Sequence, residues 1–551
     1  MSENLGFLAG RKGVEHSLFE RVVQIAKQEG TPGSEQMRSL AKEFLFGDAS
    51  VYGTASFYDF TREENKGVKV RLCNGSACLV AGTQPALMKS LEKTFSEKEI
   101  GHICCLGRCH ENGAFQYQGT NYSGKSDAEV GRILSGEKLK SDDEHAVGTN
   151  LKEPLLTGKV PAVGELYRVL EAVIGKGREA ALAEVKAATL RGRGGAGFPM
   201  GIKLESCLRT ESDKKFVVCN ADEGDPGAYS DRYLLEQRPH LVLFGMMAAG
   251  FVVGADCGVL YIRGEYPEAI RIVREAIAEL ESGGWLGKNI RGTGFDYRFK
   301  VIEGAGAYIC GEETALLSSI EGQRPEVRVR PPYPAHVGLF NRPTVVNNVE
   351  TLANLYFILK NGGAAFTKIG TAKSTGTKLV CLDSLFNKPG MVEVAMGTPF
   401  SEVVNSLGGG FKKPVKAVHV GGPLGGLVPV QKIPDLTLDF ESFAANGFLL
   451  GHAGVVSLPE DFPLIAYLEH LFEFTAAESC GKCFPCSLGS VRGREMLGKA
   501  QHEGYKIPRQ LLDDLLETLE IGSLCALGGG LPLGVKNALK YFEPELRRYF
   551  A

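Results

Sequence analysis

The sequence predicts a multidomain α/β protein, and three observations carry that expectation. At 551 residues the chain exceeds what one hydrophobic core serves, and about 150 residues per domain suggests three or four units. Strand and helix signals then alternate between residues 161 and 370, as in CGVLYIRGEY followed by PEAIRIVREAIAELESGG. That alternation is the pattern of a largely parallel sheet covered by helices. Finally, FPLIAYLEHLFEFT, SVRGREMLGKAQ, PRQLLDDLLETLEIG and VKNALKYFEPELRRYF have helical periodicity at lengths suited to a bundle over 451–551.

The remaining elements follow in chain order. In residues 1–65, HSLFERVVQIAKQEG and SEQMRSLAKEFLF place apolar residues three and four apart and predict two short helices parted by TPGS. Residues 66–135 switch to KVRLCNGSACLVAG, a helix-like TQPALMKSLEKTF and a strand read through EIGHICCLGRCHENGAFQYQG, a small mixed α/β domain with five cysteines. Residues 136–160 are polar and aperiodic, as a linker is. Residues 371–450 carry short strands and glycine turns (GTKLVCLDSLFNKPGMVEV, KAVHVGGPLGGLVPV), a small β-rich domain.

Composition excludes some functions. Sixty-two basic against sixty-five acidic residues give a net charge of −3, with no basic block to track a phosphate backbone, so nucleic acid is not an expected partner. The start, MSENLGFLAGRKG, carries Glu3 and no sustained apolar run, so no export signal is read and a cytoplasmic protein is expected. LVLFGMMAAGFVVGA, residues 241–255, falls short of the roughly 20 residues of a bilayer crossing and predicts a buried helix, not a membrane span. Fourteen cysteines in a reducing compartment point to metal or redox chemistry, not disulfides.

Cys480, Cys483 and Cys486 form C-x2-C-x2-C in ESCGKCFPC, a spacing that turns successive thiolates onto corners of one [4Fe-4S] cube. The downstream Cys525, in IGSLCALGGG where the helical pattern stops at glycines, supplies the fourth corner. A structural zinc would also accept four thiolates, but zinc sites usually use two separated C-x2-C pairs. Cys73 and Cys78 form C-x4-C, and Cys105 and Cys109 form C-x3-C; two pairs from two loops suit a [2Fe-2S] rhomb, with zinc again the alternative. Cys104 competes with Cys105 by one position, and neighbours on a strand face opposite ways. His110 is expected at the surface, not as a ligand.

LRGRGGAGFPMGIK contains G-x-G-x-x-G but follows the helical REAALAEVKAAT, so it is not an ordinary Rossmann turn. Its glycines still let backbone amides converge on phosphate, with Arg193 and Lys203 adding charge. FVVCNADEGDPGAYSDR sets Asn220, Asp222, Glu223 and Asp225 after an apolar strand, where open α/β sheets bind ligands. IEGAGAYICGEETALLSSIEG repeats strand, glycine loop and helix, with Glu312 and Glu313 at the helix start.

RGRGGAGFP, CNADEGDPG, YICGEETALLSSIEG, FNRPTVVNNVETLAN and ESCGKCFPC together resemble the NADH-binding flavoprotein subunit of respiratory complex I and its soluble relatives, over residues 155–551. The first 135 residues, with VYGTASFYDF ahead of the cysteines, resemble the thioredoxin-like [2Fe-2S] subunit of the same complex, as if fused. Such fusions occur in NAD-linked formate dehydrogenases and NAD-reducing hydrogenases. The resemblance implies a thioredoxin-like [2Fe-2S] domain, a Rossmann-like FMN/NAD domain, a β-grasp domain and a helical bundle with [4Fe-4S]. It implies FMN contacts from Gly192, Arg193, Gly194, Gly195, Ala196, Gly197, Lys203, Asn220, Asp222, Glu223, Tyr308, Gly311, Glu312, Asn347, Asn348 and Thr351. Phe198, Glu313, Arg330 and Tyr333 fall where the family binds NAD(H), and Asp225 stands where a glutamate is usual.

The function implied is a diaphorase subunit passing electrons between NAD(H) and iron–sulfur clusters through FMN. A molybdenum or tungsten formate dehydrogenase chain or a hydrogenase chain would be the partner, since no molybdopterin or hydrogen-activating motif is read here. A noncatalytic electron-carrier scaffold and a stand-alone NADH dehydrogenase with a soluble acceptor are the rivals. Hydride transfer to a flavin needs no protein acid or base, and no side chain is nominated as one.

Overall fold

The structure, a computed structural model, describes residue 10 and residues 13–139 and 145–551. Most of the amino-terminal stretch read for export signals, and residues 140–144 of the expected linker, lie outside the described residues. The two expected helices are Leu18–Glu29 and Ser34–Phe44, followed by a third, Asp48–Ala55. Leu18 and Val22 meet Leu40, Ala41, Phe44 and Val51 in a core of their own. Ser17 Oγ donates to the Ile320 carbonyl at 3.2 Å and Thr54 Oγ1 to that of Gly322 at 2.9 Å, which ties this segment to the domain beyond.

Strands β1 (Val70–Cys73), β2 (Ile100–Ile103), β3 (Phe115–Tyr117) and β4 (Thr120–Tyr122) form a sheet in the order β2-β1-β3-β4. β1 pairs parallel with β2 and antiparallel with β3. The single strand read across residues 99–119 is therefore two, parted by a loop. The loop turns at Gly107, φ +65°, a left-handed conformation that favours glycine. Cys104, Cys105 and Cys109 lie in it.

The expected linker holds a strand, β5 (Val147–Thr149), paired parallel with a strand of the β-rich unit. Periodicity does not reveal it because a buried carboxylate, not an apolar face, anchors the segment just beyond it. Glu393 accepts from the amides of Leu155 and Thr157 at 2.9 and 2.8 Å.

Strands β6 (Phe216–Ala221), β7 (Cys257–Ile262), β8 (Arg298–Glu303) and β9 (Thr344–Asn348) form a wholly parallel sheet in the order β8-β7-β6-β9. The chain steps outward from β6 to β8 and then returns to the other side of β6. That reversal opens a crevice at the carboxyl ends of β6 and β9, where Asn220 is in register with Asn348. The apolar segment 241–255 lies mostly in the helix Pro239–Val253, buried throughout from Leu241 onward. A Cβ on Gly245 would stand 2.1 Å from the Leu352 carbonyl oxygen, so only glycine lets the helix lie there. No helix among the described residues is long and apolar enough to cross a membrane.

Strands β10 (Thr377–Leu382), β11 (Gly390–Ala395), β12 (Val415–Val420), β13 (Gly426–Pro429) and β14 (Gly454–Pro459) build a mixed sheet with β5, in the order β13-β12-β14-β10-β11-β5. Two of its strands come from outside residues 371–450. Four helices follow, Leu464–Glu478, Phe484–His502, Arg509–Gly522 and Ala526–Tyr541. The glycines read as a helix end after Cys525 fall inside the last of these. Packing explains Gly528, where a Cβ would lie 2.7 Å from Cys486 Cβ.

A buried ion pair joins the mixed sheet to the parallel one. Lys378 of β10 and Glu350, in the helix after β9, bond through Nζ and Oε2 with side chains 0% and 1% exposed. Glu350 also accepts from the Leu379 amide at 3.0 Å. Lys378→Met leaves that carboxylate buried without its cation and should cost about 3–5 kcal/mol in urea unfolding. The double variant with Glu350→Gln should recover most of the loss.

Candidate functional site

The glycine loop joins the helices Arg178–Ala187 and Met200–Arg209, so the reading that set it apart from a Rossmann turn agrees with the backbone. Gly192 N–H donates to the Phe198 carbonyl at 2.9 Å and Arg193 N–H to Thr351 Oγ1 at 2.8 Å, which clamps the loop onto the helix after β9. The amides of residues 194–198 make no hydrogen bond among the described residues. Gly195, φ +131°, has open space where a Cβ would be. Free amides beside open space fit a phosphate group, so the loop passes a test of its expected ligand.

The Arg193 side chain departs from expectation. It is 1% exposed, and its guanidinium donates to the carbonyls of Arg191, Thr375 and Thr377. Burial lowers its pKa to about 10. The side chain is a strut behind the loop, and the charge expected at the phosphate is spent on those carbonyls. Gly194 is held as tightly, because a Cβ there would lie 2.9 Å from Asn348 Cβ.

Across the crevice, Asn220 Nδ2 donates to the Gly311 carbonyl at 2.7 Å. Asn348 Oδ1 accepts from the Thr351 amide at 3.1 Å while its Nδ2 donates to Asp231 at 2.7 Å. Asn347 Nδ2 and Asp222 Oδ2 are buried with no partner, and unmet buried polar atoms call for a ligand or water. Burial raises the Asp222 carboxyl well above its usual range. Burial also raises Glu223 to about 6, against the opposing pull of the Asp231 and Arg232 amides.

Glu312 caps the helix Glu313–Ile320, accepting from the amides of Thr314 and Ala315 at 2.9 Å. Glu313 bonds both Lys203 at 3.1 Å and Arg330 at 2.8 Å. Phe198 and Tyr333 are 47% and 56% exposed, two aromatic faces open to a planar ligand. Tyr308 OH donates to Asp225 at 2.7 Å, and its amide donates to Glu478 at 2.9 Å.

The structure brings both cysteine sets together. Cys483 and Cys525 are the N-cap residues of Phe484–His502 and Ala526–Tyr541, and Cys486 lies in the first turn of the former. Two helix starts thus aim at one place, where their dipoles favour thiolate charge. Burial, reinforced by the neighbouring thiols, holds Cys486 up near 11 and Cys525 near 12, so metal uptake there would release protons. Cys105 Sγ stands 3.6 Å from Cys109 Sγ. Hydrogen bonds with Cys109 and Cys73 push Cys105 toward its thiolate, and Cys73 is raised by those with Cys105 and Cys78. Among the described residues no three His, Cys, Asp or Glu side chains stand as they would on a single metal ion. Cys104 points elsewhere, its Sγ 3.6 Å from the Gly224 carbonyl. His110, expected at the surface, is 5% exposed and packs its ring 4.8 Å from that of Tyr229.

Sequence reading misses three contributors, although Gly227 and Glu478 lie inside CNADEGDPG and ESCGKCFPC. Arg263, just past β7, donates to the carbonyls of Glu223 and Cys105 at 2.6 and 2.7 Å. Gly227 N–H donates to Cys109 Sγ at 3.2 Å. Glu478 shares a small gap with Asp59, Cys104, Asp222 and Tyr308, and burial raises it to about 7. A position at a strand end was the one hint for Arg263.

Comparison with known proteins agrees with this geometry. Residues 185–357 match the Nuo51 FMN-binding domain, 466–549 the NADH-ubiquinone oxidoreductase-F iron-sulfur binding region, and 8–138 the thioredoxin-like [2Fe-2S] ferredoxin. The NADP-reducing hydrogenase subunit HndC of Solidesulfovibrio fructosivorans is 43% identical over 66% of this chain and 74% of that protein. The F subunit of NADH-quinone oxidoreductase from Escherichia coli is 41% identical over 66% of this chain and 82% of that protein. A crystal structure of NAD+-reducing [NiFe]-hydrogenase in the H2-reduced state superposes with TM-score 0.85 at 29% identity, covering 97% of this chain and 92% of its counterpart.

Fold and site define an NADH-linked flavin and iron–sulfur oxidoreductase unit. The chain belongs to the family of the F subunit of NADH-quinone oxidoreductase, and it carries a thioredoxin-like [2Fe-2S] region ahead of the FMN-binding and [4Fe-4S]-binding regions. Gly194→Ala should displace Asn348 and leave the purified protein with less than about a tenth of the wild-type flavin, since even a methyl group cannot fit there without movement. The ratio of 450 nm to 280 nm absorbance, with far-ultraviolet circular dichroism unchanged, checks it.

Proposed function

We propose that this chain is the NAD(H)-reactive arm of a multisubunit redox enzyme. FMN is held by the loop 192–198 and the ends of β6 and β9, a [4Fe-4S] cluster by Cys480, Cys483, Cys486 and Cys525, and a [2Fe-2S] cluster by Cys73, Cys78, Cys105 and Cys109. The observation that carries the reading is the run of unbonded amides at residues 194–198 over the β6/β9 crevice. When bound, FMN exchanges two-electron hydride chemistry at nicotinamide for single-electron steps at iron.

The chain's own residues bind and orient. The amides of 194–197 hold the phosphate. Asn220, Asn347 and Asn348 present amide groups at the strand ends, with Asp222, Glu223, Tyr308, Gly311, Glu312 and Thr351 around them. Phe198 and Tyr333 offer ring faces to the dinucleotide, and Glu313 pairs with Arg330 on the dinucleotide side and with Lys203 on the flavin side. No side chain is required to move a proton during hydride transfer.

The partner is a catalytic chain of formate dehydrogenase or hydrogenase type, and the compartment is the cytoplasm. Relatives named as subunits of a hydrogenase and of NADH-quinone oxidoreductase support a multisubunit setting. The flavin- and iron-loaded chain should reduce an artificial dye with NADH; a scaffold without a working flavin site would not. Cys483→Ser should remove one cluster signal from low-temperature EPR and leave the other. Loss of zinc with iron unchanged would instead mark that site as structural.

A further inference from the structure

Arg263 is 2% exposed and belongs to the flavin-binding unit. Its Nη1 donates to the carbonyl of Glu223, and its Nη2 donates to the carbonyl of Cys105 at 2.7 Å and to Glu265 Oε1 at 2.8 Å. The guanidinium lies 4.8 Å over the Tyr266 ring, and Tyr266 OH donates to the same Glu223 carbonyl at 3.3 Å. Near the far end of the loop that follows β6, the Gly227 amide donates to Cys109 Sγ. That loop therefore sets Asp222 and Glu223 beside Asn220 at the flavin crevice and touches Cys109 of the thioredoxin-like unit with its other end. A fixed cation and an N–H donor of one unit are built against two cysteines of another.

We propose that Arg263 is a positioning residue that raises the reduction potential of the [2Fe-2S] centre and locks that centre to the flavin loop. The inference rests on the cluster assignment above. An added electron makes the cluster more negative, and a buried cation and N–H donors near its sulfurs stabilise that state. Low local dielectric makes the effect larger than it would be in water. Glu265 shares Nη2 with Cys105, so the positive end of the pair faces the cysteine backbone. Removing the guanidinium takes away that end and leaves the carboxylate; both changes disfavour reduction.

The test is a potentiometric EPR titration of the full chain loaded with flavin and iron, comparing wild type with Arg263→Met and Arg263→Lys. The [2Fe-2S] midpoint should fall in both, further in Met than in Lys, so that a sample poised at the wild-type midpoint shows several-fold less reduced [2Fe-2S]. The [4Fe-4S] midpoint should stay in place. Adding Glu265→Gln to Arg263→Met should recover part of the fall. An unmoved [2Fe-2S] midpoint with the cluster retained, or equal movement of both centres, would overturn the proposal. If the Met variant loses the cluster, an unmoved midpoint in the Lys variant overturns it as well. A wild-type chain with iron but no [2Fe-2S] signal would instead sink the cluster assignment itself.

Discussion

Parallel pairing of β6 with β7 on one side and β9 on the other is the constraint from which the rest of the molecule hangs. The register sets Asn220 beside Asn348 and Ala221 beside Ile262, so two strand ends and the loop after Ala221 emerge at one edge. All four strands run the same way, and their carboxyl ends converge on a crevice that the crossover to β9 leaves open. The glycine loop then closes over it, because Arg193 N–H is captured by Thr351 and the Arg193 guanidinium is fixed to β10 and the turn before it.

That edge also organises the iron. The loop after β6 reaches Cys109, and Tyr308, past β8, reaches Glu478 at the mouth of the cysteine-rich turn. The two thiol sets belong to different folding units, yet backbone amides of the flavin-binding unit reach both neighbourhoods, at Cys109 in one and at Glu478, two residues before Cys480, in the other. Burial first, and neighbouring acid charges after it, raise the Asp222 and Glu478 carboxyls near Tyr308.

Some departures from expectation share one cause. Arg193, Gly528 and the strand Val147–Thr149 were read from local pattern, but each is governed by a partner far away in sequence. A guanidinium beside a glycine loop suggests a phosphate ligand until three carbonyls are found to occupy it. Three glycines suggest a helix end until Cys486 is found against one of them. A polar run suggests a linker until Glu393 is found to collect its amides.

The sequence alone determined the parallel α/β unit, the terminal helices, the two cysteine sets and the glycine loop, because apolar periodicity, thiol spacing and glycine content are local properties of the chain. It also carried the family likeness that the matched regions support. Only the tertiary structure decided which face of the loop is free and which way Cys104 and Arg193 turn. It alone placed Arg263 and Gly227 against the neighbouring unit's cysteines. Those facts depend on contacts between residues far apart in sequence, made when separately folded units dock, and no short-range pattern encodes them.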